Sequence, residues 1–492
     1  MNNISCTYGA YSETVIVSNH DQTNGHRHSS AHCRRYTKTQ RRLLALLPEL
    51  PPEQDTQQPE PDPCFPSSPA STRASARVTR IPTPKLDEAA LYGLAGQAVR
   101  TLAPHSEAHP AAILLQLLAA FGNIVGPGPH CMVDATRHGL NLFVVLVGET
   151  SKARKGTSWN QIRRLFAEVD QSWVDTRVAT ARLTTTSLLY ALRDQQPPTD
   201  RRLLALSEEF AGVLHSSARA KGQLSPLLRC AWDHGHVPDA RGLHQASGTH
   251  VSLIAHITQR ELAQYLHPTE AHNGFANRCL WTLVQRSQCL PEGGSLGVHE
   301  LSAVARELRR ALDWAGSETE ILFRRDDAAR ALWQERYNAL SQVRPGLYGA
   351  ATSRAEAQVL RLSAIYAALD STSVIGLPHL QAALAVWDYC SAGTSFLFGQ
   401  STGNPTADRI HEAIDASPDG FLTRKQIGAL FHGHLGSQHI DAALELLMSL
   451  GATSRRTAPT CGRPSTLWTA ASDIHFAGAE PIEDESELNQ EP

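Results

Sequence analysis

The chain has 492 residues, 41% of them hydrophobic, and its 45 lysines and arginines nearly balance 48 aspartates and glutamates for a net charge of -3. That length accommodates two or three domains with real apolar cores. The charge balance excludes wholesale electrostatic binding of nucleic acid, so any such contact needs a local basic patch. The nine cysteines are scattered, without a C-x-x-C pair or a cysteine and histidine cluster at zinc-ligand spacing, and read as mostly buried thiols in a reducing cytoplasm.

Met1 to about Pro84 has little periodic apolar pattern, and Pro51 to Thr83 is rich in Pro, Ser, Thr and Gln, which predicts disorder. His26, His28 and His32 lie in this polar stretch and read as a solvated tail rather than a metal site. Arg41 to Leu50 follows the basic residues Arg34, Arg35 and Lys38; it reads as a nucleic-acid or partner arm, or equally as a solvated tail or a misassigned start. The N-terminus lacks an apolar signal core, which argues against secretion. Two helices are predicted between Leu86 and Gly122, punctuated by Pro104 and Pro110. Ala111 to Ala120 is too short to span a membrane and reads as a buried helix.

Leu142 to Trp159, LFVVLVGETSKARKGTSW, carries the strongest signal. An apolar strand breaks at Gly148 and runs into a cluster of lysine, glycine and hydroxyl residues. A nucleoside triphosphate needs a tight turn, free amides at a helix N-terminus, a lysine, and a hydroxyl for Mg²⁺. Gly148 supplies the turn, Lys155 the cation, and Thr157 and Ser158 the hydroxyls. The order departs from G-x-x-x-x-G-K-[ST]: Gly156 follows the lysine, and Lys155 stands one place late, so either Arg154 or Lys155 fills the lysine's role. The competing reading is a basic strand-to-helix loop with no ligand.

Arg201 to Leu214, RRLLALSEEFAGVL, places Glu208 and Glu209 at the end of an apolar strand, Leu203 to Leu206. One carboxylate of such a pair can serve a metal's water shell, and the other can orient or deprotonate an attacking water. Ligands of open α/β sheets sit at strand C-termini. The plainer alternative is a helix start decorated with acids. His250 to Thr258, HVSLIAHIT, reads as a third strand whose His256 can sense a γ-phosphate. Cys279 to Val284 reads as a fourth, and Arg278 just before it is either a finger for a neighbouring subunit's nucleotide or an ordinary surface arginine.

Helical patterns return from His299 to Trp314 and from Asp326 to Leu340. A compact unit follows from Asn404 to Ala470: a helix from Thr406 to Ala416, a second capped by Thr423, and a third capped by Ser437 from Gln438 to Leu450. Two strand-like pieces joined by Pro459 to Pro464 complete the shape of a winged helix. Its third helix carries Asp441 and Glu445 beside Gln438 and His439, while its wing offers Arg455, Arg456 and Arg463. DNA reading and protein packing are both open for it. The acidic tail from Ala479 is predicted to be disordered.

The order SEEF, SLIAHIT, GFANRCLW resembles the Walker B, sensor 1 and arginine-finger segments of AAA+ ATPases, in particular the minichromosome maintenance helicases. Ser353 to Cys390 looks like their helical lid, with Arg354 matching the lid arginine that senses the γ-phosphate. The stretch from Leu86 to Phe398 also resembles an uncharacterised bacterial and phage family of primase-helicase-like replication proteins. Glu208 stands where the AAA+ pattern has aspartate.

The resemblance implies an α/β P-loop core at 85–298, a helical lid at 299–400 and a winged helix at 404–470, with disordered ends at 1–84 and 471–492. It implies ATP and Mg²⁺ bound by Gly148, Arg154 or Lys155, Gly156, Thr157 and Ser158, with Thr157 and Glu208 on the metal. Glu209 would position water, His256 would sense phosphate, and Arg278 and Arg354 would close the site in a homo-oligomeric ring. The expected role is cytoplasmic DNA replication for a plasmid, phage or integrated element, with DNA and a primase or other replication protein as partners and no membrane. The alternative is a non-hydrolysing DNA-binding or scaffold protein with a degenerate nucleotide loop.

Overall fold

The apolar runs of the sequence become strands because each is buried on both faces. The computed structural model describes residues 83–149, 151–180, 182–192, 200–217, 223–235, 247–399, 401–432, 434–458 and 464–470. The expected disordered ends, the 26–32 histidines, the 41–50 arm and Arg463 lie outside the described residues. In chain order the strands are β1 (Pro129–Val133), β2 (Thr136–Gly139), β3 (Phe143–Val147), β4 (Val178–Ala179), β5 (Arg202–Ser207) and β6 (His250–Ile257). They continue with β7 (Cys279–Leu283), β8 (Ile321–Arg325), β9 (Val374–Ile375), β10 (Phe421–Thr423), β11 (Thr453–Ala458) and β12 (Ser465–Ala470).

The main sheet is parallel throughout, in the order β4-β5-β6-β3-β7. Side chains alternate across it with period two. Val144, Leu146, Leu204, Leu206, Ile254 and Leu280 face one core, shared with helices Pro110–Ile124 and Lys155–Val169. Phe143, Val145, Val147, Leu253, Ala255 and Trp281 face the other, shared with Phe210, Leu228 and Trp232. Helices on both sides explain why these strands read as nearly unbroken apolar runs. Fully burying a side chain such as Phe143, which is 0% exposed, contributes roughly 1.5–3 kcal/mol. The parallel direction also sorts the chemistry: residues after each strand collect at one edge, and residues before each strand at the other.

A second sheet, β2-β1-β8-β9, was not legible in the sequence. β1 and β2 form an antiparallel hairpin turning at Asp134, whose φ is 51°. β8 runs parallel to β1, and β9 parallel to β8. Its strands are short and half solvated, so they lack the apolar density that marks the main sheet. Through them one apolar core runs from Ala90 to Cys390, unbroken across residue 298.

The C-terminal unit has its own core of Ala407, Ile410, Ile427, Leu444 and Trp468. Helices Pro405–Asp415, Arg424–Ala429 and Ser437–Ser449 pack on an antiparallel sheet ordered β10-β12-β11. Thr423 caps the second helix through a capping box with Gln426. Ser437, expected as the next cap, is instead the first helical residue; Gly436 holds the cap position without a side-chain bond. Among the described residues no helix is long and apolar enough to cross a membrane.

Candidate functional site

At the C-terminal edge of the main sheet, β3 ends at Gly148. A Cβ there would lie 2.3 Å from the Val284 carbonyl oxygen and 2.8 Å from Ala153 Cβ, so only glycine lets the loop turn this close to the strand after β7. The loop returns through Arg154, which is left-handed at φ 53° and is the N-cap of helix Lys155–Val169 with no side-chain cap. Among the described residues no side chain caps the first-turn amides of that helix. Aligned on the lysine, Arg154 occupies the place where the phosphate-loop pattern has its second glycine, and its left-handed backbone explains why glycine is the usual choice there.

Lys155 projects into the loop it closes, its Nζ donating to the carbonyls of Gly148 and Glu149 at 2.9 Å each. Burial lowers its pKa, against the opposing pull of the Glu261 carboxylate. Arg154 points elsewhere. Its Nε pairs with Glu107 Oε2 at 2.6 Å. Glu107 itself is held below the usual carboxylate range, first by the Leu290 amide and then by Arg154. Of the two cations, Lys155 lies within the loop and Arg154 is drawn out of it.

The hydroxyls also separate. Ser158 is 0% exposed, donates to the Lys155 carbonyl at 2.6 Å and accepts from Gln116 Nε2 at 2.5 Å. The expected phosphate role of Ser158 is corrected by this: three residues into the helix, its side chain turns to the core. Thr157 remains half-buried in the first turn, while Gly156 stands where the pattern has its hydroxyl residue.

The carboxylates follow β5 as read from the sequence. Glu208 and Glu209 are both exposed in the turn before helix Phe210–Ser217. A Cβ on Gly156 would sit 3.8 Å from Glu208 Oε1, so the Glu208 carboxylate abuts the first turn of the Lys155 helix. His256 lies beside Leu146 near the end of β6. It is 3% exposed, and its Nε2 has no hydrogen-bond partner among the described residues. Burial, reinforced by the positive charge of Lys155, pushes its pKa down to about 4, so it is a neutral imidazole at pH 7. Among the described residues no group of three or more His, Cys, Asp or Glu is arranged to hold a metal ion.

Beside the loop opens a cavity of about 440 Å³, lined by Lys152, Ala153, Val284, His109, Tyr389 and Phe396 among others. The His109 and Tyr389 rings stack at 6.0 Å and 22°. Tyr389 is oriented by donating to the Leu283 carbonyl at 2.5 Å. This aromatic wall was missed in the sequence, because its members come from segments 280 residues apart with no shared motif.

Arg278 and Arg354 lie at the opposite edge. Arg278 directly precedes Cys279, which pairs with Phe143 at the start of β3. Five residues of strand separate that level from Gly148, roughly 16 Å. Arg278 is not an ordinary surface arginine: it is 5% exposed and ion-paired with Asp233. Arg354 shares that carboxylate at 3.3 Å. Behind them the fully buried Arg361 stacks on Trp232 at 3.6 Å and donates to Trp232 O and to Asn141. Burial brings its pKa down to about 9, with Asp233 opposing.

The molecule is thus a mixed α/β protein built on a parallel sheet, with basic and acidic loops at one edge and an arginine cluster at the other. No family model matches the chain, and no curated protein matches it. Among solved structures it is similar to a full-length MCM homolog from Methanopyrus kandleri at 16% identity and a TM-score of 0.34. The match spans 64% of this chain and 63% of that one.

Proposed function

We propose that this chain is a P-loop ATPase of AAA+ type that works on DNA as a ring of identical subunits. The carrying observation is the convergence at one sheet edge: Lys155, the uncapped amides of its helix, Gly148, Glu208 and neutral His256, beside a cavity of a size to take a nucleoside. The Lys155 amine now rests on two carbonyls, and a phosphate would give it a charge-assisted partner instead. The amides and the helix dipole favour the same anion. The buried, unpartnered Nε2 of His256 is suited to donate one hydrogen bond to a phosphate oxygen, consistent with the sensor role.

The donor set fits Mg²⁺ held chiefly by phosphate oxygens, with the Thr157 hydroxyl and Glu208 as the protein's contribution; such an ion would offset phosphate charge. Glu209, exposed beside Glu208, is assigned to the attacking water. Arg278 and Arg354 cannot span the sheet to their own subunit's loop, so they are assigned to the nucleotide of a neighbouring copy. The stacked wall of His109 and Tyr389, with Phe396, would take the base. We assign residues 299–400 as the lid and residues 404–470 as a winged helix, whose exposed Arg455 and Arg456 would contact DNA phosphates. A replication role for a mobile element, with a primase as partner, extends this reading.

A scaffold that no longer hydrolyses ATP is the second reading. It is favoured by Arg154 in the glycine's place and by the absence of a hydroxyl at position 156. ATP hydrolysis measured with and without single-stranded DNA separates the two. The ATPase reading expects turnover stimulated by DNA and abolished by Lys155→Ala, with Arg154→Ala retaining nucleotide binding. Unchanged ATP affinity in Lys155→Ala, by calorimetry, would remove the assignment of the loop.

A further inference from the structure

The two arginines at the N-terminal edge are held unequally. Arg278 commits every nitrogen: Nε to Asp233 Oδ1 at 3.1 Å, Nη2 to Asp233 Oδ2, and Nη1 to the Gly274 carbonyl. Arg354 gives only Nη1, to Asp233 Oδ1, and its side chain is 35% exposed. Its Nε and Nη2 make no hydrogen bond among the described residues. Trp232 backs the group, with the Arg278 and Arg354 guanidiniums 5.6 and 5.4 Å from its ring and that of Arg361 at 3.6 Å. Among the described residues, three guanidiniums around the one Asp233 carboxylate leave positive charge that a dianion would complement.

We propose that Asp233 is a positioning residue: pinned by Arg278, it holds Arg354 facing solvent, ready for the terminal phosphate of a nucleotide bound by another copy of this chain. Arg278 then acts through Asp233 and does not touch the phosphate. The inference rests on the ATPase reading above and divides the roles that reading leaves joined. The physical reason is preorganisation. An arginine side chain has many rotamers to lose, and the shared carboxylate removes that freedom before the phosphate arrives.

The test uses the full chain. Asp233→Ala should lower kcat by about a hundredfold, the scale of a misplaced catalytic contact, and leave KM for ATP unchanged, since that is set at the other edge. Asp233→Glu should recover part of the loss. The double variant Asp233→Ala/Arg354→Ala should be no slower than Arg354→Ala alone. Losses that multiply, or a double variant Arg278→Ala/Arg354→Ala far slower than Arg354→Ala, would overturn the proposal by showing independent contacts.

A second measurement does not depend on turnover. In a Lys155→Ala chain, pyrophosphate should still shift the Arg354 guanidinium resonance of ¹⁵N-arginine-labelled protein, and Asp233→Ala should abolish that shift. Absence of the shift in the Lys155→Ala chain overturns the role of Asp233 even if the wild type hydrolyses ATP. A shift that depends on Asp233 in a protein without ATPase activity upholds the role and removes the ATPase reading instead.

Discussion

His250 and His256 both lie on β6, 3% exposed each, and burial pushes the pKa of each down to about 4. For His250 the Gly122 carbonyl, 2.6 Å from Nε2, opposes the shift without overcoming it. In the unfolded chain each imidazole titrates near 6.5. Between those values the unfolded state binds more protons than the native state, so stability rises with pH. The contribution is complete above about pH 6.5, is lost progressively as pH falls, and is exhausted near pH 4. At about pH 5 each histidine has given up about 2 kcal/mol, and the pair about 4 kcal/mol. That is a large fraction of the ~5–15 kcal/mol by which domains are stable.

The depressed carboxylates do not confuse this window, because Asp200 and Asp370, lowered by their Arg202 and His379 partners, titrate below it. Urea unfolding at about pH 7.5 and pH 5 should therefore show the loss, to which His138, also brought down to about 4 by burial, and the burial-lowered His109 add, and His256→Gln should reduce the pH dependence of the wild type by about 2 kcal/mol. An unfolding free energy that changes by less than about 1 kcal/mol across that interval, or a His256→Gln variant with undiminished pH dependence, would refute the reasoning.

Ser158→Ala should cost about 1–3 kcal/mol by leaving the buried Gln116 amide without its acceptor, with ATP affinity by calorimetry unchanged; a loss of affinity at unchanged stability would return Ser158 to the phosphate site. Glu209→Gln should keep ATP binding and lose turnover by ~10² to 10⁴-fold, the range for general acid-base groups; the same pattern in Glu208→Gln alone would reverse the two roles. Mixing Arg354→Ala subunits with Lys155→Ala subunits should restore part of the ATPase activity, because a heterologous interface can pair one intact lysine with one intact arginine. Failure to complement, with a monomeric mass at micromolar concentration, would remove the ring.

Four of the five strands of the main sheet, β3, β5, β6 and β7, and the loops that follow β3 and β5 were legible in the residue order, whereas the two-residue β4 was not. Strand formation here depends on local apolar density, and Gly148, Lys155 and the Glu208–Glu209 pair stand directly where those runs stop. The sequence could not state where side chains point or which distant segments meet. Ser158 and Thr157 are adjacent hydroxyls in the chain, yet the helix turns Ser158 into the core and leaves Thr157 half-exposed. Arg154 and Lys155 are adjacent cations, yet Glu107, 47 residues away, draws one out of the loop. Asp233 gathers Arg278 and Arg354 across separations of 45 and 121 residues. Their meeting is set by the order in which parallel strands pair and by the helix packing that order imposes, which makes the cluster a property of tertiary structure alone.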